Sequence, residues 1–116
     1  VKISLKATYN GHNAKKDGIV NFSFKAPFTE IANAIGTVKL IGKQFKLAAM
    51  LEDGTKIKLT TSANLNKMSV DSHGETTVVI ETDVSFIACS FDEIRSLTSK
   101  TMDIFLIIGK SSGKEE

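Results

Sequence analysis

Four stretches of this chain carry apolar side chains at alternate residues, Thr82 alone excepted, and that period dictates half-buried β-strands. They are Val1-Ile3-Leu5-Ala7-Tyr9, Val20-Phe22-Phe24-Ala26, Phe45-Leu47-Ala49-Leu51 and Val78-Ile80-Thr82-Val84-Phe86. Successive side chains of a strand point to opposite faces, so each stretch offers one face to a core and the other to water. Sheets of that kind are antiparallel, because parallel ones bury both faces. The pattern places Phe22, Phe24, Phe45 and Phe86 inward.

Helical spacing is confined to two places. Phe28, Ile31 and Ile35 recur three and four residues apart after Pro27, whose missing N–H costs nothing in a first helical turn, and Gly36 follows where a helix ends. Ser90-Phe91-Asp92-Glu93 is a capping box, predicting a second helix over 91–99. Further strands are expected at 38–40, 55–61, 68–70 and 102–108, the last apolar on both faces except at Asp103. Residues 10–18 read as a charged loop and 62–66 as irregular. The predicted fold is α+β: a mainly antiparallel sheet of seven to eight strands with two short helices. One domain spans 1–109, and 110–116 form a disordered tail.

Register can be argued at Glu52-Asp53-Gly54. A two-residue turn would set Leu51 opposite Lys56 and Ala49 opposite Lys58. A three-residue loop with Gly54 in the left-handed region pairs Ala49 with Ile57 and Leu47 with Leu59, keeping one apolar face.

The chain also shows faint internal similarity. Ala26-Pro27-Phe28-Thr29-Glu30-Ile31 resembles Cys89-Ser90-Phe91-Asp92-Glu93-Ile94, and Leu40-Ile41-Gly42-Lys43 resembles Ile107-Ile108-Gly109-Lys110. The matches suggest a strand–helix–strand pseudo-repeat, against the alternative of coincidence between short segments. Paired strand–helix–strand units resemble the layout of one domain of a DNA sliding clamp, whose helices face duplex DNA. Residues 28–35 carry Glu30 and no basic residue, a departure where a helix tracking phosphates needs positive charge. The resemblance therefore assigns no function.

Composition narrows the chemistry. The formal charge is +2, and of the 15 basic residues only Arg95 is arginine. Lysine is a flexible point charge, whereas arginine supplies the planar fork that reads base edges, so sequence-specific nucleic-acid recognition is not expected. The lysine bias suits an AT-rich genome, such as that of a low-GC bacterium or its phage. Cys89 is the single cysteine, which excludes an internal disulfide and favours a reducing, cytoplasmic setting. The opening residues alternate rather than forming a signal peptide, and no apolar run approaches the roughly 18 residues that cross a bilayer.

Reactive constellations are equally scarce. Cys89 precedes a helix, which lowers a thiol pKa, but the only imidazoles, His12 and His73, fall in turn-rich segments. Zinc needs four N or S ligands, and Cys89 with two histidines offers three. Asp71, His73 and Glu75 read as a solvated hairpin end, and Asp103 as an exposed residue at a strand start. Gly109-Lys110-Ser111 lacks the earlier glycine and following helix of a phosphate loop. No catalytic, cofactor or metal residues are assigned.

What remains is surface. The register sets Lys46, Lys56 and Lys58 on the outward face with Ala48 and Met50, and Phe105 and Ile107 also point away from the core. Apolar atoms there suggest a covered or docking surface. The expected function is a non-catalytic interaction protein, an accessory, inhibitor or assembly subunit that binds a protein partner or itself. The alternative is weak, sequence-independent binding of nucleic acid along the lysines.

Overall fold

Six antiparallel strands close on themselves in the computed structural model, which describes residues 2–35 and 43–108. In chain order they are β1 (Lys2–Ala14), β2 (Ile19–Pro27), β3 (Gln44–Met50), β4 (Lys56–Val70), β5 (Glu75–Asp83) and β6 (Thr101–Ile108). Helix α1 (Phe28–Ile35) joins β2 to β3. A 3₁₀ turn (Val84–Phe86) and helix α2 (Phe91–Ser96) join β5 to β6. Around the barrel the order is β1-β2-β5-β4-β3-β6, and β6 returns to β1.

The mainly antiparallel sheet with two short helices agrees with the alternation in the sequence. The closure does not follow from it. Two short helices cannot cover an apolar face this wide, so the sheet rolls up until that face lines its own interior. Tyr9, Phe22, Leu47, Ile80, Ile104 and Leu106 fill the inside, each at most 2 % exposed. Bulges at Tyr9/Gly11 in β1, at Leu65/Lys67 in β4, and in β4 again where it passes Phe45–Ala48 of β3, supply local curvature.

The helices close opposite ends. α1 leaves from the end of β2, beside the start of β5 (Pro27 opposite Glu75). α2 follows the far end of β5, where Asp83 lies opposite Ile19. Ile31 of α1, and Ile94 and Leu97 at α2, are buried against the core. The α1 end is tied at two points: the Phe28 N–H donates to the Gly74 carbonyl (2.9 Å), and the Lys6 N–H donates to Glu30 Oε2 (3.0 Å). The second bond satisfies a strand amide where β2 has already turned away into the helix. At α2 the capping box is present in full, Ser90 Oγ accepting from the Glu93 N–H and Glu93 from the Ser90 N–H.

Several expectations are corrected. Among the described residues there are six strands, not seven to eight, because the segments 55–61 and 68–70 are one continuous β4 running through 62–66. The strand expected at 38–40 and the tail 110–116 lie outside the described residues. Residues 10–14 belong to β1, and only the turn at 15–18 is a loop. Pro27 ends β2 instead of opening the helix, and α2 stops at Ser96, short of 99.

Phe86 does not point inward. β5 ends at Asp83, whose side chain accepts from the Ser85 N–H and turns the backbone, leaving Val84 46 % and Phe86 43 % exposed. β6 is buried on one face only, since a barrel strand has an outside: Met102, Ile104 and Leu106 are interior, while Ile107 is 37 % exposed. Asp103 is half-buried in mid-ladder, between Lys6 and Met50.

The three-residue loop after Leu51 agrees with the register argument. Ala49 faces Ile57, and Gly54 adopts φ +90°. Leu47, however, faces Thr60 rather than Leu59, because the bulge inserts a residue there.

Candidate docking surface

The outer wall over β4-β3-β6-β1 is built from cross-strand rows fixed by the ladder. In one row Lys2 faces Ile107, which faces Lys46. In the next Ser4, Phe105, Ala48 and Lys58 lie side by side. In the third come Lys6, Asp103, Met50 and Lys56. The residues predicted for an outward surface, Lys46, Ala48, Met50, Lys56 and Lys58, thus occupy adjacent positions on β3 and β4. The three lysines are exposed and Ala48 and Met50 half-buried. β6 adds Phe105 and Ile107 beside them, and β1 adds Lys2 and Lys6.

The wall has an apolar crest and basic flanks. Ile107, Phe105, Ala48 and Met50 run along the β3–β6 seam, with Lys2 and Lys6 on one side and Lys56 and Lys58 on the other. The Lys2 ammonium lies 4.2 Å from the Phe105 ring centroid, folding a basic group over the crest. Among the described residues the single ion pair is Arg95–Asp92 (2.7 Å), on α2, so these lysines have no carboxylate partner. Asp103 is the one acid within the rows. Sequence reasoning missed Lys2 and Lys6, because β1 becomes a neighbour of β6 only when the barrel closes.

A second cluster gathers groups that the sequence keeps apart. Tyr9 Oη and His12 Nδ1 are 2.9 Å apart, and the His12 ring stacks on Phe91 of α2 (5.4 Å, 28°). In a regular strand, residues three apart face opposite ways. The bulge at Asn10–Gly11, with Gly11 at φ +120°, resets the alternation so that both point toward the barrel mouth. A glycine inside an alternating strand was the available signal for that bulge.

Cys89 lies close enough to Tyr9 for their anions to repel, yet among the described residues no hydrogen bond joins it to His12. Burial, then Glu93, raises the thiol pKa; burial, then Cys89, raises that of the phenol; burial, then Arg95, lowers that of the imidazole. All three shifts favour the neutral forms. The helix N-terminus that should have activated Cys89 instead brings the capping-box carboxylate beside it. The cluster reads as packing between α2 and the barrel mouth, without the thiolate–base pair that nucleophilic catalysis requires.

The remaining candidates stay apart. Asp71 Oδ1 accepts from the N–H groups of His73 (2.8 Å) and Glu75 (3.0 Å), an Asx-type turn at the β4–β5 hairpin. Among the described residues no three His, Cys, Asp or Glu side chains converge as metal ligands, and no helix is long and apolar enough to cross a membrane. Compared with models of known protein families and with curated protein sequences, the chain matches none.

Proposed function

We propose that this protein works by docking, with the β3–β6 seam as its contact surface and a protein as its partner. One observation carries the reading: four apolar side chains, Ile107, Phe105, Ala48 and Met50, are contiguous on the outside of a barrel whose core is already complete. An apolar strip that no element among the described residues uses for the core fits a surface buried in a complex. A nucleic acid is the weaker reading. The lysines favour it, but Phe105 is the only aromatic side chain in the rows and its face is taken by Lys2, so no base-stacking platform is free.

Photo-crosslinking tests this. A benzophenone amino acid at Ala48 samples the seam; the same group at Val79 samples the β2–β5 wall directly opposite. The expected result in the native cell is a protein adduct, to a partner or a second copy, from position 48 alone. Absence of an adduct there, or equal adducts from both positions, rejects the docking surface.

We further infer that the two halves of the barrel arose by duplication. Each half runs strand, strand, helix, strand, and exchanging β1, β2, β3 with β4, β5, β6 preserves every neighbouring pair of the barrel, with β2–β5 and β3–β6 mapping onto themselves. Phe28 and Ile31 hold the same places in α1 as Phe91 and Ile94 in α2, with both isoleucines buried. The other sequence match lends no support, since Lys43 directly precedes β3 whereas Ile107-Ile108 ends β6. The second half expressed alone should associate into a strand-rich dimer; an unfolded monomer counts against duplication.

A further inference from the structure

We infer that the occupant of the seam is a narrow, acidic polypeptide segment, with one apolar residue seated in the groove beside Met50 and Leu51. The inference rests on the docking reading above and adds the chemistry of the partner.

Charge is the first argument. Among the described residues Lys2, Lys6, Lys46, Lys56 and Lys58 border the crest without ion-pair partners, and within the rows Asp103 is the one acid against these five lysines. Carboxylates arriving on either flank would meet a lysine, whereas a basic partner would place like charges together.

Shape is the second. The flanking strands β1 and β4 are three strand spacings apart, about 14 Å along the sheet. In a six-stranded barrel that distance covers half the circumference, so the wall turns away on both sides of the seam. A flat surface would touch only the crest. A single segment lying along it can touch the crest and still send side chains to both lysine flanks.

The third argument is a groove at one end of the crest. Lys6, Met50, Leu51, Glu52, Thr101, Met102 and Asp103 are among the residues lining a depression of about 390 Å³ between the β3–β4 turn and the start of β6. Met50, Leu51 and Met102 give it an apolar part, and Lys6 stands there against both Glu52 and Asp103, which suits an apolar anchor better than a carboxylate. Asp103 and Glu52 both line this groove, so they repel an acidic partner near the anchor while the lysines attract it elsewhere.

Labelled peptides of equal length and apolar content, with acidic, neutral or basic flanks, provide the test, alongside an oligo-dT strand. The acidic peptide should bind alone, and more weakly as salt rises. Lys56→Glu with Lys58→Glu should weaken it about tenfold, the size expected when two exposed attractions become repulsions. Asp103→Asn should tighten it, a gain that loss of folding cannot imitate. Equal binding by the neutral or basic peptide, binding by none, or tighter binding of oligo-dT overturns the inference. Sequencing the adduct from position 48 separates the two claims: a neutral or basic segment rejects the acidic partner and keeps the docking surface, while no adduct rejects both.

Discussion

Thr76 points into the barrel, fully buried, and among the described residues its hydroxyl has no hydrogen-bond partner. A buried hydroxyl left unpaired costs about 1–3 kcal/mol relative to water. The first half of the chain shows how the position could be filled: Ala14 faces Val20 at the close of the β1–β2 hairpin, as Val70 faces Thr76 at the close of β4–β5. Val20 is 1 % exposed, so valine suits the inward side of such a hairpin. Thr76→Val keeps the shape, removes the unpaired oxygen and adds a buried methyl. It should stabilise the fold by about 1–2 kcal/mol, raising the melting temperature by roughly 5–10 °C in a domain of this size. Thr82→Val is the control with opposite sign, because that hydroxyl donates to the Ser62 carbonyl and its loss should cost about 1 kcal/mol. Urea unfolding followed by far-ultraviolet circular dichroism suits a chain without tryptophan. A Thr76→Val variant no more stable than the parent, at unchanged denaturant dependence, would refute the reasoning.

Three further outcomes follow from the same geometry. Gly11→Ala should destabilise the barrel by about 1–3 kcal/mol through backbone strain alone, since a Cβ there meets no atom within 4 Å; a neutral effect on urea unfolding would show that the bulge tolerates L-residues. The His12 imidazole is held below its ordinary pKa of 6.5, so the unfolded chain takes up the proton first. The associated stability is complete above that value and is lost as pH falls through the folded-state pKa, and His12→Gln should flatten that slope in unfolding measured across mildly acidic pH. Cys89, its pKa raised by burial and by Glu93, should react with iodoacetamide at neutral pH severalfold more slowly than free cysteine, recovering the free rate once unfolded; equal rates in both states would mean the thiol is not shielded.

What the sequence determined by itself is local. Alternation assigned the inward and outward residues of β2 and β3. The capping box set the start of α2, and Asp53-Gly54 fixed the β3–β4 loop so that Lys46, Lys56 and Lys58 face outward. These depend on side-chain period and turn chemistry, which act within a few residues. Tertiary structure decided the rest. Alternation is the same in an open sheet and a closed one, so only the pairing of β6 with both β1 and β3 made a barrel. That closure gave the strands an outside, exposed Ile107, and brought Lys2 and Lys6 to the seam. Bulges broke the alternation of β1 and β4, turning His12 toward Tyr9 and setting Leu47 against Thr60. A bulge shifts every later side chain by one position; Gly11 marks the one in β1, whereas those in β4 carry no glycine and answer to the curvature that closure demands.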